Sequence, residues 1–301
     1  MTRSFLEIDD LAPEELVAVL DASERPDPPQ VLAGRGVALI FEKPSNRTRS
    51  ATEMAVVQLG GHPVAIRGDE VGIDVRETAE DVGRTLACYH AAIGARVHEH
   101  AKLERMAAAV DVPVVNLLSD DAHPMQALSD LLTLRPHLGE LRGRSLAWVG
   151  DYTNVARSLA VGAATLGMEV RVAAPPGYGP GPLDVDRLAA LGASPLVVTR
   201  PTEAVEGVDA VVTDVWASMG QEDQAAARRQ AFEGFTVDAT LMDRAAPAGV
   251  FLHCLPAHRG EEVAADVVDG PRSLVWQEAA NRMHVARGLL LWLFAGGEPR
   301  T

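Results

Sequence analysis

Apolar positions along the chain follow two spacings in alternation. Short continuous apolar runs, such as VALIF at Val37–Phe41, are typical of strands buried on both faces of a parallel sheet. Between them, apolar residues recur at helical spacing, as in Pro13–Asp21 and Thr48–Leu59. Repeated alternation of this kind predicts an α/β fold with two doubly wound parallel-sheet domains. The predicted strands are Val37–Phe41, Pro63–Ile66, His90–Ala95, Val112–Leu117, Leu146–Val149, Val170–Ala173, Leu196–Val198, Ala210–Val215 and Val250–Leu252.

The chain length also indicates two domains, since 301 residues suit two units of about 150 each. Pro and Gly interrupt a helical pattern at Arg135–Arg144, just before a new strand, so we expect the boundary there. Residues 1–136 would form the first domain and residues 137–277 the second. A final helix at Glu278–Phe294 has one apolar face and is expected to pack across a domain surface.

Charge and cysteine content exclude several classes of protein. The net charge is −15 and the pI is about 5.0, with no basic stripe, which argues against a partner that is nucleic acid or an anionic membrane. A small metabolite is the expected partner. Only Cys88 and Cys254 occur, so neither a disulfide framework nor a CxxC metal site is available. Without an apolar leader or a long apolar run, we expect a cytoplasmic protein with no membrane span.

The segment Phe41–Glu53 concentrates positive charge at a predicted helix start. Lys43, Arg47 and Arg49 lie close together in this acidic chain, among hydroxyl side chains. Free backbone N–H groups and the helix dipole favour an anion at such a position, and guanidinium groups strengthen the binding of phosphate. The segment therefore predicts a phosphate site. The alternative is a solvated basic helix start that binds nothing.

Polar residues also follow later strands of the first half. His123 comes after VPVVNLL, and Arg96 ends AAIGAR. Ligands of open parallel sheets bind beyond the carboxyl ends of the strands, so both side chains could converge with Arg47. Alternatively, His123 is a capping or packed side chain, and Arg96 pairs with surface carboxylates.

The second half offers groups suited to an amine rather than to a dinucleotide. Only Gly150 of a G-x-G-x-x-G pattern is present, although Asn154 could contact a small polar ligand or act as a helix N-cap. Asp214 sits at the end of an apolar strand and would suit an ammonium group. Cys254 follows VFLH and is either reactive or structural. Since neighbouring side chains of an extended segment point in opposite directions, His253 and Cys254 should not form a thiolate pair.

Taken together and in order, these motifs resemble the aspartate/ornithine carbamoyltransferase family. They are S-N-R-T-R, the arginine after a strand, H-P-M-Q, D-x-x-N, D-V-W-A-S-M-G and H-C-L-P-A-H-R-G. The S-M-G and H-C-L-P motifs point to the ornithine branch. The resemblance extends from Phe41 to Phe294.

The resemblance implies transfer of a carbamoyl group from carbamoyl phosphate to ornithine, without metal or cofactor. It also implies a homotrimer with active sites at subunit interfaces, and a C-terminal helix, 278–301, that completes the first domain. Arg47, Cys254 and Asp214 would be catalytic. The residues implied for carbamoyl phosphate are Ser45, Asn46, Arg47, Thr48, Arg96, His123, Gln126, Cys254, Leu255 and Arg282. The residues implied for ornithine are Asn154, Asp214, Ser218 and Met219.

Three segments depart from the family pattern. Asn46 replaces a hydroxyl residue, Gly72 stands where a glutamine is expected, and Tyr152 and Thr153 alter the turn before Asn154. Two alternatives follow. One is a carbamoyltransferase for a related amine such as lysine or putrescine. The other is a non-catalytic paralogue that binds a ligand or a partner protein.

Overall fold

The computed structural model describes residues 3–217 and 222–295. The chain divides into two compact units, one containing the chain up to Leu132 and again from Ala280, the other Thr133–Ala279. Each unit contains one parallel sheet flanked by helices in the sequence. The predicted α/β class with two parallel sheets is therefore confirmed. In the part of the chain described, no helix has both the length and the apolarity needed to cross a membrane.

The first unit contains a four-stranded sheet in the order β2-β1-β3-β4. Its strands are β1 Gly36–Phe41, β2 His62–Arg67, β3 Ala92–Arg96 and β4 Val114–Leu118. Its helices, the last of which continues into the second unit, are α1 Pro13–Ser23, α2 Asn46–Gln58, α3 Gly68–Val71, α4 Ala79–Ala87, α5 His100–Ala109 and α6 Pro124–Leu138.

The second unit contains a five-stranded sheet in the order β7-β6-β5-β8-β9. Its strands are β5 Ser145–Val149, β6 Glu169–Ala173, β7 Leu196–Val198, β8 Ala210–Thr213 and β9 Val250–His253. Its helices are α7 Asn154–Thr165, α8 Pro182–Ala190, α9 Pro201–Val205, α10 Ala225–Ala231, α11 Ala239–Met242 and α12 Ala265–Val268. The final helix, α13 Val275–Phe294, begins in this unit and ends in the first.

Each sheet has a point at which successive strands are added on opposite sides. In the first sheet this switch lies between β1 and β3, and in the second it lies between β5 and β8. Two neighbouring loops leave in opposite directions at a switch point, which opens a crevice beyond the carboxyl ends of the strands. The topology alone therefore marks the loops after β1, β3, β5 and β8 as ligand-binding positions.

Helix α13 packs on α1 and α2 within the first unit. Arg287 Nη2 donates to the carbonyl oxygens of Ser23 and Arg25, both at 2.8 Å, and Nη1 donates to Gln58 Oε1 at 3.0 Å. At Gly288 a Cβ would lie 2.1 Å from Ser23 Oγ, so this close approach requires glycine. The expected packing of the last helix is present, although the helix begins three residues before Glu278.

The C-terminal end of β8 lies earlier in the chain than the sequence predicted. All nine predicted segments overlap strands, with bounds that differ by a few residues, and β8 ends at Thr213 rather than at Val215. Asp214 accepts a hydrogen bond from the amide of Val215, which lies outside the β-ladder. The predicted segment ran through Asp214 to Val215, past the point where hydrogen bonding with the neighbouring strand stops. As a result, Asp214 lies in the loop and not in the strand.

Candidate active site

The helix start after β1 has the predicted form. Ser45 is the N-cap of α2, and its Oγ accepts a hydrogen bond from the amide of Thr48 at 3.4 Å. Arg47 is half-buried in the first turn, whereas Arg49 is more exposed and pairs with Glu53 at 2.8 Å. The capped first turn presents N–H groups and a positive dipole end, which together suit an anion. Of the two arginines, Arg47 is the more buried one in this first turn.

Arg282 reaches the same helix start from α13. Its Nη2 donates to Thr48 Oγ1 at 2.7 Å, and both residues are buried. Gln58 of α2 also contacts Met283, the next residue of α13, through its Nε2 and the sulfur at 3.5 Å. The structure thus joins two residues that are 234 positions apart in the sequence.

His123 and Arg96 add to this positive cluster. Arg96 is the last residue of β3, and His123 directly precedes α6. Both are buried, so Arg96 does not occupy the surface position that its ion-pair alternative assumed. Burial lowers the pKa of His123 well below its ordinary value, and the charges of Arg282 and Arg96 lower it further. The imidazole is therefore neutral at physiological pH, near two guanidinium groups.

Gln126 lies in the first turn of α6 and is fully buried. Its Nε2 donates to Asp130 Oδ1 at 2.7 Å, one helical turn further along. This contact fixes the side-chain amide of Gln126 in the first turn of α6, directly after His123. The structure accordingly brings Thr48, Arg96, His123 and Arg282 together in the first unit, with Ser45, Asn46, Arg47 and Gln126 on the adjoining first turns.

An ion pair between Glu42 and Lys102 was not predicted from the sequence. Glu42 accepts from Lys102 Nζ at 3.0 Å and from the amide of His98 at 2.7 Å, and its own amide donates to the Arg96 carbonyl at 2.9 Å. The pair therefore ties the loop after β1 to the loop after β3. The only sequence signal was a lysine on the largely buried face of α5, and nothing in the sequence connects it to Glu42.

Asp214 and Cys254 meet in the second unit. Asp214 Oδ1 accepts from Cys254 Sγ at 3.1 Å and from the amide of Val215 at 2.8 Å. Burial raises the pKa of Asp214, and the hydrogen bond from Cys254 partly opposes that rise. A buried carboxylate with few fixed donors is suited to an incoming ammonium or amine group. The sequence placed both residues at the ends of strands, and the neighbouring strands β8 and β9 bring them together.

Both imidazole nitrogens of His253 are hydrogen-bonded to groups other than Cys254. Its Nδ1 accepts from the amide of Leu255 at 2.9 Å, so Nε2 carries the proton and donates to Glu262 Oε1 at 3.1 Å. Asp214, His253 and Cys254 each offer a possible metal-ligating atom within 4.8 Å of the others. Because both imidazole nitrogens are already engaged, the arrangement does not fit a metal site.

The backbone after Cys254 is unusual. Leu255 has φ 58°, in the left-handed region that branched residues rarely adopt, and the Leu255–Pro256 peptide is cis. Non-glycine residues in this region cost free energy and cluster at functional sites. This supports the sequence assignment of the H-C-L-P motif to a functional loop.

In the turn after β5, Asn154 does not have the helix N-cap role that the sequence left open. The N-cap of α7 is Thr153, and Asn154 is the first helical residue, so Asn154 is not the N-cap. Asp151 in this turn accepts from Arg228 Nη1 at 2.6 Å, a contact that sequence reasoning missed. Ser218 and Met219, both expected to contact ornithine, lie outside the described residues.

The local backbone explains why position 72 is a glycine. It ends α3 with φ 63°, and a Cβ at this position would lie 3.0 Å from the side chain of Arg76. A glutamine would be strained in this conformation. The residue type at this position is therefore matched to the left-handed backbone conformation of Gly72.

Comparison with known proteins agrees with the geometry. Residues 3–136 match the family model for the carbamoyl-P binding domain of aspartate/ornithine carbamoyltransferase, and residues 142–293 match that for its Asp/Orn binding domain. The ornithine carbamoyltransferase of Acidothermus cellulolyticus is 48% identical over 310 residues, covering 99% of each chain. The structure of ornithine carbamoyltransferase from Pyrococcus furiosus has a TM-score of 0.94 at 40% identity, covering 98% of each chain. The corresponding structure from Thermus thermophilus has a TM-score of 0.89 at 43% identity, covering 98% of this chain and 99% of the other. The chain belongs to the aspartate/ornithine carbamoyltransferase family.

Proposed function

We propose that this protein is an ornithine carbamoyltransferase, which transfers the carbamoyl group of carbamoyl phosphate to the side-chain amine of L-ornithine. The products are L-citrulline and phosphate. The observation that carries the proposal is the buried cluster of Arg96, His123 and Arg282 against the helix start at Thr48. Relatives named ornithine carbamoyltransferase, similar over almost the whole chain, support the choice of substrates.

The proposed carbamoyl-phosphate site follows from where positive charge is fixed. The first turn of α2 and the side chain of Arg47 hold the phosphate, since N–H groups and a guanidinium form charge-assisted bonds to its oxygens. Arg96 and neutral His123 polarise the carbamoyl carbonyl. The complete proposed set is Ser45, Asn46, Arg47, Thr48, Arg96, His123, Gln126, Cys254, Leu255 and Arg282.

The proposed ornithine site lies in the second unit. Asp214, held by Cys254 and its neighbouring amide, orients the side-chain amine. Burial raises the pKa of this carboxyl, which makes its carboxylate a better proton acceptor than an exposed one. The complete proposed set is Asn154, Asp214, Ser218 and Met219.

The reaction needs a neutral amine and a stabilised leaving group. The amine nitrogen attacks the carbamoyl carbon and forms the new C–N bond, while the bond from that carbon to the phosphate oxygen breaks. Arg47, Arg96 and Arg282 stabilise charge that develops on the carbonyl and phosphate oxygens. The nitrogen loses one proton, which the departing phosphate takes up. Atoms and charge balance without any cofactor or metal.

The domain roles and the assembly form part of the same proposal. Residues 1–136 with the C-terminal helix 278–301 bind carbamoyl phosphate, and residues 137–277 bind ornithine. We propose arginine biosynthesis as the pathway, the cytoplasm as the location and a homotrimer as the assembly. Light scattering of the purified protein should then give about three times 32.0 kDa, and a monomer would contradict this part.

The altered turn after β5 favours a second candidate. Tyr152 is buried where the family pattern has a smaller residue, and its amide donates to the Tyr178 carbonyl at 2.8 Å. A reshaped turn could favour lysine or putrescine. The non-catalytic alternative has only the departures at Asn46 and Gly72 in its support.

Selectivity among amines tests the proposal. Initial rates with saturating carbamoyl phosphate and varied ornithine, lysine or putrescine should give the highest kcat/KM with ornithine. Higher kcat/KM with either other amine would favour the second candidate. Binding of carbamoyl phosphate without turnover of any amine would favour the non-catalytic one.

A further inference from the structure

Arg228 in α10 contacts three separate loops of the second unit. Its Nη1 donates to Asp151 Oδ2 at 2.6 Å and to the Trp216 carbonyl at 2.8 Å, and its guanidinium carbon lies 5.3 Å from the centre of the Tyr178 ring. Asp151 follows β5, Tyr178 follows β6 and Trp216 follows β8. One side chain therefore links the loops that flank the switch point of this sheet.

The contacts of Arg228 are buried and mutually supported. The side chains of Arg228 and Asp151 are 10% and 16% exposed, so the pair is shielded from water and salt. Trp216 stacks on Phe232 with ring centres 5.5 Å apart, and Tyr178 meets the edge of Phe232 at 4.8 Å. The aromatic rings therefore pack against one another, and the ring of Tyr178 also lies against the guanidinium.

Removal of Arg228 would leave an unfavourable arrangement of charge. Burial and the nearby charge of Asp214 both raise the pKa of Asp151, while the hydrogen bond from Arg228 opposes the rise. Without the guanidinium, Asp151 would be a buried carboxyl close to a second one. The turn after β5 and the loop after β8 would then have to shift, and Asp214 begins the loop after β8.

We propose that Arg228 is a positioning residue for the amine substrate, which fixes the turn after β5 through Asp151 and the loop that contains Asp214 through the Trp216 carbonyl. This inference rests on the proposed function. It predicts different effects on the two substrates. Arg228 supports the loops at the switch point of the second unit, and among the described residues it has no contact with the helix start at Ser45. Its loss should weaken the use of ornithine much more than that of carbamoyl phosphate.

The chain provides a matched control on the same helix. Arg229 is the next residue, with a side chain 58% exposed in an ion pair with Glu261 at 2.8 Å. R228M, R228K and R229M are compared by initial rates with each substrate varied. R228M should raise the KM for ornithine about 10-fold or more, the loss expected for a buried charge-assisted hydrogen bond, with the KM for carbamoyl phosphate within about 2-fold. R228K should recover part of the effect, and R229M should match the wild type.

Amide hydrogen exchange gives a readout that does not depend on turnover. Peptides covering residues 150–153 and 214–217 should exchange faster in R228M than in R229M, with peptides of the first unit unchanged. Equal KM effects on both substrates, or unchanged exchange in these peptides, would overturn the inference. If R228M does not fold, R228K and D151N are judged by the same criteria. A wild type that is silent with ornithine would refute the proposed function, and the exchange result would then decide the inference alone.

Discussion

At the scale of single residues, the chemistry depends on which polar groups are buried and how they are held. Arg47 and Arg49 are two positions apart, yet one is half-buried at the helix start and the other pairs with Glu53 on a more exposed face. Asp214 and Cys254 are 40 positions apart but share a hydrogen bond of 3.1 Å. Sequence spacing alone therefore does not identify the functional partner of a side chain.

Arg47→Ala should remove most of the turnover. Its guanidinium is proposed to stabilise the phosphate as it departs, so its loss should lower kcat by roughly 10²–10³-fold, the range found when one transition-state donor is removed. Arg49→Ala is the comparison, because its side chain already pairs with Glu53, and it should keep kcat within about 10-fold of wild type. Near-normal turnover of the Arg47 variant would contradict the assignment of the first motif.

Asp214→Asn should weaken ornithine selectively. An amide carries no charge to attract the amine, so kcat/KM for ornithine should fall about 10- to 100-fold, as expected for loss of a charged hydrogen bond. Cys254→Ser keeps a donor to Asp214 and should have a smaller effect. The exposed Cys88 provides the control, and Cys88→Ser should leave both kinetic constants unchanged. If the Asp214 variant kept its ornithine kcat/KM, the amine site would lie elsewhere.

At the scale of elements, α13 has two buried arginines with different tasks. Arg282 donates to Thr48 Oγ1 at the helix start, whereas Arg287 donates to the carbonyls of Ser23 and Arg25 and to Gln58. The positions differ by five residues, so the same helix contributes to the proposed ligand site and to the packing of the unit. Substitutions at Arg282 and Arg287 should therefore affect substrate use and stability separately.

Arg287→Met should destabilise the fold without changing substrate use. It leaves the carbonyls of Ser23 and Arg25 without this donor, so the free energy of unfolding should fall by about 1–3 kcal/mol. Arg282→Met should instead raise the KM for carbamoyl phosphate. Urea unfolding and initial rates on both variants would check this division, and a reversal of the two effects would contradict it.

Much of the element order follows from local signals. The strand at Val37–Phe41 and the helix that begins after Ser45 were predictable, because continuous apolar runs and N-cap residues act within a few positions. The end of β8 was not, since the predicted segment runs through Asp214 to Val215 while the hydrogen-bonded ladder stops at Thr213. Where a strand ends depends on its neighbour as well as on its own sequence.

Contacts between distant segments lay beyond the sequence pattern. The family resemblance suggested Arg282, but neither composition nor spacing pairs it with Thr48. The Asp151–Arg228 and Glu42–Lys102 pairs join residues 77 and 60 positions apart, and each partner by itself is an ordinary charged residue. Such pairs arise only when the sheet order brings two loops together.

At the scale of the whole molecule, buried ionisable groups couple the site to stability. Burial, Arg282 and Arg96 keep the pKa of His123 well below its ordinary value. Below about pH 6.5 the unfolded chain therefore takes up a proton that the folded protein does not, and acid favours unfolding. Asp214 has a raised pKa, so its contribution has the opposite sign: it is fully present below about pH 3.9 and is lost as the pH rises through the raised value.

His123→Asn should make stability less sensitive to mild acid. The thermal midpoint of the wild type should fall between pH 6.5 and 5.5, with His123 contributing at most about 1.4 kcal/mol per pH unit. The His123 variant should show a shallower fall over the same range. His62→Asn, at an exposed position, should parallel the wild type. Identical slopes for all three proteins would contradict a neutral buried His123.

The most direct test of the central claim is the stoichiometry of the reaction. Purified protein is mixed with carbamoyl phosphate and ornithine, and citrulline and phosphate are measured in the same samples over time, with a reaction lacking ornithine as the blank. The account predicts that citrulline and phosphate form in equal amounts above the blank, at a rate that saturates with each substrate. Phosphate release without citrulline, or no reaction above the blank, would contradict it.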